Sequence, residues 1–367
     1  MLSPSPDVRG PLPKHTPHLV SALRDLGAEV KTAPWGRHRE GERIGDKATG
    51  RIRDIWRIRR LLRSEAFDVM VIKTAHDWLT LTRDIALLLV TRHLCPRVVV
   101  QFHGSQAGRL TDPNQRLFRL ASAWLVWLSD GVMVLSLEEQ RQWQAFCASR
   151  EIHVVSNPFV APPSREAGGA LPPHGLPAGV PVVLFVGRLI PEKGVLVLLD
   201  AFARLRRTIT SHLVVVGEGP QAGEARARAS ALGVDTSVTF TGYIEGERLA
   251  SAYHEATVLA LPTTWSEGFP TVITEAMHAG LPIVTTRRRG MADHLHEDVN
   301  ALFVPPDDPA ALAAALDRVL GDPALRARME RANREKIREF LPPAVAERYM
   351  DVLRAVGRHA HRAAVEG

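Results

Sequence analysis

Short runs of β-branched and other apolar residues recur along the chain, and most precede a stretch with helical periodicity. In the N-terminal half the runs occupy residues 69–72, 98–102, 132–135 and 152–155. In the C-terminal half they occupy residues 182–186, 213–216, 238–240, 257–261 and 282–286. The runs are continuous rather than alternating, which is typical of strands buried on both faces of a parallel sheet. The pattern predicts an α/β protein of two doubly wound, Rossmann-like domains, with ligands at the carboxyl ends of the strands.

A segment rich in proline and glycine separates the two sets of runs. Residues 161–181 contain six prolines and four glycines, too many for a regular helix or strand. We interpret this segment as a linker between an N-terminal domain over 1–160 and a C-terminal domain over 182–343. Leu341-Pro-Pro343 is expected to break a charged helix. A last helix, over about 344–367, is expected to return to the N-terminal domain and complete it.

Composition narrows the class of protein. A chain of 367 residues suits two domains, and 45% apolar with 23% charged residues is typical of globular proteins. The net charge of +6 is uneven, because residues 1–160 hold 23 basic and 16 acidic residues (+7) and residues 161–367 hold 23 and 24 (−1). A partner that attracts positive charge is therefore expected at the N-terminal half. Acidic residues are interspersed throughout, which argues against a nucleic-acid partner.

The cysteines and the apolar stretches bear on the compartment. Cys95 and Cys147 lie far apart, without a CxxC or Cys/His spacing, which excludes a disulfide scaffold and a cysteine-based metal site and suits a reducing compartment. The first ten residues lack the apolar core of a secretory signal. The longest apolar stretches are far shorter than the roughly 20 residues that cross a bilayer. We expect a cytoplasmic protein, soluble or peripheral on the inner face of the plasma membrane.

Two strand-to-helix loops in the C-terminal half carry residue types suited to an anion. Gly187 and Gly194 permit a tight turn after a buried strand, and Arg188 and Lys193 place two cations at its mouth. Cations beside a helix N-terminus suit a diphosphate, although a solvated Arg and Lys in an ordinary turn give the same local pattern. The second loop, Gly217-Glu-Gly-Pro220, lacks the GxGxxG spacing of a dinucleotide fingerprint, and alone it indicates a structural turn.

A third motif, over residues 264–275, places two carboxylates around the start of a helix. Glu267 falls in the loop and Glu275 in the helix eight residues later, with Pro270 suited to the first helical position. Because a helix start attracts anions, carboxylates there are better placed to accept hydrogen bonds from sugar and ribose hydroxyls than to bind phosphate. A solvated Glu275 is the alternative, and its small and apolar neighbours argue against it.

Together these motifs resemble the nucleotide-sugar half of glycosyltransferase family 4, the retaining transferases of GT-B type. The resemblance covers about residues 181–320 in the family's order and spacing, through G-R-L-x-x-E-K-G, G-E-G-P, Phe240-Thr-Gly242 and, most specifically, E-G-F-P-x7-E. The two glutamates of the last motif, Glu267 and Glu275, are separated by seven residues, four of which follow Pro270. The resemblance implies a GT-B fold, in which two doubly wound Rossmann-like domains face a central cleft.

The resemblance also implies roles for individual residues. Arg188 and Lys193 would neutralise the donor diphosphate, Glu267 would hold sugar hydroxyls, and Glu275 would hold the ribose. Further loop residues would complete the donor site, with Ile244 placed where the family contacts the base through main-chain groups. They are Gly187, Gly217, Ile244, Gly268, Phe269, Pro270 and Thr271.

The N-terminal half matches the family more loosely. His103 follows a buried run and resembles the family's active-site histidine, although an isolated histidine is more often structural. The start of the chain departs from the family pattern, because residues 1–4 leave almost no room for a first strand. Arg9-Gly10-Pro11 stands where paired glycines are usual, which leaves Gly10 as a donor-binding candidate. Either translation begins upstream of this methionine or the sheet is built unusually.

A basic amphipathic segment lies in the same half. Residues 51–63 read RIRDIWRIRRLLR, with apolar residues at helical spacing. Such segments bind anionic membranes, each basic residue near the surface contributing about 1 kcal/mol. The alternative is a surface helix whose apolar stripe packs on the sheet. Trp124 and Trp127, in a second apolar helix, favour the membrane hypothesis.

We therefore expect a retaining glycosyltransferase that moves a hexose from a nucleotide-diphosphate donor to the hydroxyl of a glycan or lipid-linked acceptor. By the resemblance it would need neither metal nor cofactor, since the two cations and helix amides would stabilise the departing diphosphate. Two alternatives keep the fold: a GT-B type nucleotide-sugar epimerase or hydrolase, and a non-catalytic nucleotide-sugar-binding subunit. A nicotinamide dehydrogenase is disfavoured because the glycine fingerprint is absent.

Overall fold

The computed structural model describes residues 1–5, 8, 11–36, 44–161, 179–265 and 268–365, and for residues 11, 44–48 and 358–365 it describes the backbone alone. Two predicted site residues, Gly10 and Glu267, lie outside the described residues, as does most of the predicted linker.

Strands and helices alternate along the chain. The strands are β1 Leu2–Ser3, β2 Ala33–Pro34, β3 Met70–His76, β4 Val98–Ser105, β5 Gly131–Val134, β6 Ile152–Val154, β7 Val182–Val186, β8 His212–Val216, β9 Val238–Gly242, β10 Val258–Leu261, β11 Ile283–Thr286 and β12 Ala301–Val304. The helices are α1 Pro11–Asp25, α2 Ile44–Ser64, α3 Trp78–Thr91, α4 Arg116–Trp127, α5 Leu137–Phe146, α6 Val195–Leu205, α7 Ala222–Ala231, α8 Glu247–Glu255, α9 Thr271–Ala279, α10 Arg289–His294, α11 Pro309–Gly321, α12 Pro323–Lys336 and α13 Pro342–Val365.

The chain divides into two compact units. Unit 1 comprises residues 1–160 and 340–367, and unit 2 comprises residues 161–339. The described part of each unit forms a parallel sheet of six strands with helices between them. This architecture confirms the predicted α/β class with two Rossmann-like domains.

The sheet of unit 1 has the order β2-β1-β3-β4-β5-β6. The expectation that residues 1–4 leave no room for a strand is wrong, because Leu2 pairs with both Ala33 and Ile72. Two residues suffice because β1 has a neighbouring strand on each side that supplies its backbone hydrogen-bond partners. On one side, for example, the Trp35 N–H donates to the Ser3 carbonyl at 2.7 Å. The α1 helix begins at Pro11, where the missing N–H is not needed.

Helices cover both faces of this sheet, which explains the continuous apolar runs. Met70 and Ile72 pack with residues of α2, α3 and α4 on one face, while Val71 packs with α1 and α13 on the other. The α13 helix therefore belongs to the core of unit 1, and the Tyr349 hydroxyl donates a hydrogen bond to the side-chain oxygen of Gln101 on β4.

The sheet of unit 2 has the order β12-β11-β10-β7-β8-β9. Its five predicted strands are present to within two residues, and β12 is an additional strand. After β7 the chain adds β8 and then β9 on one side of it. It then adds β10, β11 and β12 on the other side. The loops after β7 and β10 therefore flank the topological switch point, where doubly wound sheets bind ligands.

The break predicted at Leu341-Pro-Pro343 is placed differently in the structure. The α12 helix ends at Lys336, a 3₁₀ turn spans Ile337–Phe340, and α13 then begins at Pro342. Proline fits the first turn of a helix because the N–H it lacks has no partner there. The two prolines therefore start the last helix, two residues before its predicted start at 344.

Candidate functional site

The loop after β7 carries Arg188 and Lys193 and is held by its own backbone. The Gly187 N–H donates to Val216 at 3.0 Å and the Leu189 N–H donates to Glu218 at 2.9 Å, so the pairing of β7 with β8 continues past both strands. A 3₁₀ turn over Pro191–Lys193 then leads into α6. Both cations are thereby placed between a strand end and a helix start.

Glycines let the loops at the carboxyl ends of these strands approach each other closely. A Cβ atom on Gly217, whose φ is +134°, would lie 1.9 Å from the Gly187 carbonyl oxygen. A Cβ atom on Gly194, whose φ is +75°, would lie 2.4 Å from the Pro262 carbonyl oxygen. Gly217 and Gly194 are therefore required by packing, whatever they contact in a ligand. The contribution of Gly187 and Gly217 to donor binding stays a prediction.

The loop after β10 is tied to the loop after β7 by one carbonyl group. The Glu192 oxygen accepts hydrogen bonds from the Thr264 N–H and from the Thr263 hydroxyl, both at 2.8 Å. Because Lys193 is the next residue, this bond holds it beside the segment that leads to α9. The structure thus brings together the first and third motifs, which the sequence separates by about 75 positions.

The segment before α9 packs against α10. The Gly268 carbonyl lies against Gly290, where a Cβ atom would meet it at 1.6 Å, and the Phe269 ring contacts the His294 ring with a centroid distance of 4.8 Å. Pro270 precedes the helix with φ −65°, so the helix starts at Thr271. Proline has no side-chain oxygen to cap the first turn, and the amide groups there suit an anion.

Glu275 is held by a residue that no sequence motif indicated. The Tyr253 hydroxyl, from α8, donates a hydrogen bond of 2.6 Å to Oε2 of Glu275. Tyr253 is buried, and this burial together with the neighbouring carboxylate raises its pKa well above the usual value. Glu275 itself is half-buried, which excludes the alternative of a fully solvated side chain. The Tyr253 bond joins two helices, so no local pattern could have shown it.

The two cations of the β7 loop differ in exposure. Arg188 is exposed, whereas Lys193 is half-buried. Burial, and then the nearby charge of Arg188, lowers the pKa of Lys193 to about 8. An anion bound beside Lys193 would favour its charged form and raise that pKa again.

Tyr243 and Ile244, which the resemblance places at the base of the nucleotide, lie beside the turn after β8. The Gly217 N–H donates to the Gly242 carbonyl at 2.9 Å, and a hydrogen bond of 3.4 Å runs from the Tyr243 N–H to Glu218. Ile244 is buried, and Tyr243 is exposed. Ile244 thus lies at the carboxyl ends of the strands, as do Gly187 and Gly217. Its contact with a base stays a prediction.

His103 belongs to unit 1, near the carboxyl end of β4. Burial, followed by the charges of Lys73 and His15, lowers its pKa well below the usual value, and the nearby Asn157 side chain acts in the opposite direction. The ring is therefore neutral at physiological pH. Its role in the reaction stays a prediction.

The predicted site omits three arginines that follow β11, at the same end of the unit 2 sheet: Arg287, Arg288 and Arg289. The φ of Arg289 is +33°, and the Arg287 guanidinium stacks on the Phe303 ring at 4.1 Å. Cations after a buried strand were the signal used for Arg188, so the same reasoning could have found them.

Among the residues described, no group of three or more His, Cys, Asp or Glu side chains is placed to hold a metal ion. Metal independence stays a prediction.

The structure is that of a two-domain α/β protein in which two cations and a helix start lie at the switch point of unit 2. Residues 171–336 match the family model described as glycosyl transferases group 1, and residues 13–160 match the model described as glycosyltransferase family 4. The chain belongs to this family of glycosyltransferases, which confirms the resemblance.

Two relatives illustrate the range of the family. The chain is 32% identical over 270 residues to a glycogen synthase of Mycobacterium tuberculosis, covering 72% of this chain and 63% of that protein. It is 31% identical over 289 residues to a D-inositol 3-phosphate glycosyltransferase of Xylanimonas cellulosilytica, covering 75% and 68%. The chain thus spans less than two thirds of the glycogen synthase.

Solved structures show the same fold. Anabaena HepE in complex with UDP-glucose superimposes with a TM-score of 0.70 at 17% identity, covering 96% of this chain and 98% of that one. Sucrose-phosphate synthase from Thermosynechococcus elongatus superimposes with a TM-score of 0.71 at 19% identity, covering 97% and 98%. Likeness at this identity shows the fold alone, which is the predicted GT-B type.

Proposed function

We propose that this protein is a retaining glycosyltransferase that moves a hexose from a nucleotide-diphosphate sugar to an acceptor hydroxyl. The observation that carries the proposal is the joining of the Lys193 turn to the segment before α9 through the Glu192 carbonyl. A diphosphate placed there would meet two cations and the amide groups of a helix start. Anabaena HepE, which shares the fold, is described with bound UDP-glucose.

The same groups supply the chemistry that the reaction needs. When the bond between the sugar and the diphosphate breaks, negative charge develops on the leaving phosphate oxygen. Arg188 and Lys193 are positioned before the reaction starts, so they stabilise this charge without reorganisation, in the place of a metal ion. In retention with front-face attack, the same phosphate oxygen accepts the proton of the acceptor hydroxyl. Glu275, held by Tyr253, accepts hydrogen bonds from the ribose.

A panel of UDP-, GDP- and ADP-hexoses tests this function. The Tm is expected to rise with diphosphates of one base, since a ligand at 100 times its Kd adds about 2.7 kcal/mol to the free energy of unfolding. The matched nucleoside monophosphates, which lack the distal phosphate, should shift the Tm much less. The stabilising donor should then be consumed slowly without acceptor. If no diphosphate stabilises the protein and no donor is consumed, the proposal fails; donor binding without consumption would indicate a non-catalytic binding subunit.

The acceptor is proposed to lie at an anionic membrane surface. Ile58 and Leu62 of α2 pack in the same core as Leu125 of α4, so both helices cover one face of the unit 1 sheet. The inner stripe of α2 thus packs on the sheet, as the alternative expected, while its outer face carries exposed Trp56. The outer faces of both helices leave apolar and basic residues exposed: Ile52, Arg53, Trp56, Arg60, Arg63, Leu117, Leu120, Trp124 and Trp127. No helix among the described residues combines the length and apolarity needed to cross a bilayer.

Vesicle flotation measures this affinity. The protein is expected to float with vesicles containing phosphatidylglycerol at low salt and to be released at high salt, because the attraction is partly electrostatic. Replacing Trp56 and Trp127, which are 63% and 69% exposed, with serine should reduce flotation severalfold. Trp265→Ser provides the control, since Trp265 is exposed on unit 2. Absence of flotation at low salt would remove the membrane from the proposal.

A further inference from the structure

Three nitrogen-bearing side chains of unit 1 converge from three elements. Lys73 on β3 is 1% exposed, and its Nζ donates a single long hydrogen bond of 3.4 Å to the Thr16 hydroxyl on α1. His15, also on α1, is buried, and neither of its ring nitrogens has a hydrogen-bond partner. His103 lies on β4 two residues after Gln101, which pairs with Lys73, so the His103 side chain is on the same face of the sheet as Lys73. We name these three residues the Lys73 cluster.

The fold explains why the cluster lies where it does. Side chains alternate along a strand, so Lys73 lies on the same face of the sheet as Val71, which packs on α1. Leu2 of β1 pairs with Ile72, so Lys73 lies beside the point where β1 ends. The chain order of this sheet reverses between β1 and β3. The cluster therefore borders the switch point of unit 1, where doubly wound sheets bind ligands.

The one group of the cluster that gains a charge near neutral pH is Lys73, and among the described residues it has no paired carboxylate. Burial lowers the pKa of Lys73 to about 7, and burial followed by the charge of Lys73 lowers that of His15 to about 4. A buried cation without a counter-charge is costly, and a bound anion removes that cost.

We propose that Lys73, His15 and His103 form a binding site for one oxyanion group, a phosphate or a carboxylate, carried by the acceptor. This assignment to the acceptor rests on the proposed function, in which Arg188 and Lys193 of unit 2 hold the donor diphosphate. Donor phosphate and acceptor are the two sources of such a group, and competition separates them.

Anion binding at the cluster takes up protons. Among the described residues, the charged and titratable groups facing it are the Met1 amino group, Lys14, His15 and His18 from the start of the chain and α1, Lys73 from β3 and His103 from β4. An anion stabilises the charged form of Lys73, so its pKa rises on binding. Affinity therefore increases as the pH falls from 8 to 6.

The direct test is calorimetry with sulfate, whose charge is constant over this pH range. The full-length Arg188→Gln/Lys193→Gln variant is used, so that the site proposed for the donor does not contribute. Sulfate is expected to bind with a stoichiometry of about one, about tenfold more tightly at pH 6 than at pH 8, with proton uptake at pH 8. Lys73→Met should abolish binding, and Lys31→Met, which removes an exposed lysine paired with Glu65, should leave it unchanged.

Folding of Lys73→Met is checked by circular dichroism and by its Tm, which should equal or exceed that of the parent because a buried charge is removed. His15→Leu, expected to weaken sulfate binding severalfold, provides a second variant. Sulfate binding that survives Lys73→Met, or that does not depend on pH, would overturn the site. This result is independent of whether the chain transfers sugars.

Kinetics with the native enzyme then identify the source of the oxyanion. Sulfate should raise the KM of the acceptor and leave the KM of the donor unchanged. Competition with the donor instead would assign the cluster to the donor phosphate and overturn its assignment to the acceptor.

Discussion

Replacing Glu275 with alanine is expected to lower turnover about tenfold or more and to raise the KM of the nucleotide-sugar donor. A carboxylate that accepts hydrogen bonds from hydroxyls contributes about 1.5–3 kcal/mol, which corresponds to a tenfold to hundredfold change. The Tm shift produced by the donor's nucleoside diphosphate should shrink in parallel, because the proposed partner of the ribose is removed. Steady-state kinetics with varied donor measure the first effect, and thermal unfolding with and without nucleotide measures the second.

Tyr253 provides the control that separates binding from folding. In Glu275→Ala the buried Tyr253 hydroxyl loses its carboxylate partner, at a cost of about 1–3 kcal/mol in the free energy of unfolding. The double variant Glu275→Ala/Tyr253→Phe removes that orphaned hydroxyl. It should therefore regain stability without regaining turnover. If turnover recovers together with the Tm, Glu275 serves the fold and does not bind the donor.

Lys193→Met is expected to lower turnover about tenfold or more while leaving the ligand-free protein as stable or more stable. In the proposed reaction the charge of Lys193 stabilises the departing diphosphate, and a charge-assisted hydrogen bond is roughly twice as strong as a neutral one. In the free enzyme the charge disappears as the pH rises through about 8. The kcat/KM of the native enzyme, which reports the free enzyme, should therefore fall above about pH 8.

Lys193→Arg is the matched control for this pH dependence. Arginine keeps its charge far above pH 8, so any activity that this variant retains should not decline there. Stability gives an independent check. The pKa of Lys193 is lower in the folded protein, near 8, than its usual 10.5, so the unfolded chain binds more protons between these values. The free energy of unfolding therefore gains a contribution that rises with pH across that window, and Lys193→Met should lack it. An unchanged alkaline profile in Lys193→Arg would exclude Lys193 as the titrating group.

The sequence predicted the long central strands well and the short ones poorly. Runs such as 182–186 and 98–102 are buried on both faces, so their composition alone separates them from helices. The two-residue strands β1 and β2 are too short to have a period, and Pro34 in β2 disfavours a strand. They exist because longer neighbours supply their hydrogen-bond partners, which is information that no local window contains.

The site shows the same division between local and long-range information. The loop glycines, both cations and Glu275 are visible as motifs because each motif is continuous in sequence. Tyr253 and the support of Gly268 by Gly290 depend on which helices become neighbours, and that is decided by the order of strands in the sheet. The Lys73 cluster was missed for a related reason. Lys73 directly follows the apolar run 69–72, and the sequence does not show that β3 continues to His76 or that α1 packs against it.

The position of α13 in the core of unit 1 constrains the order in which the chain folds during synthesis. Residues 161–339 emerge from the ribosome as a contiguous stretch, so unit 2 has all of its chain while 340–367 are still being made. Until then the sheet face that holds Val71 and Val99 has α1 but lacks α13, the second helix that covers it. The part of the protein translated first is thus the last that can be completed, and its apolar face must be shielded from aggregation for most of the translation time.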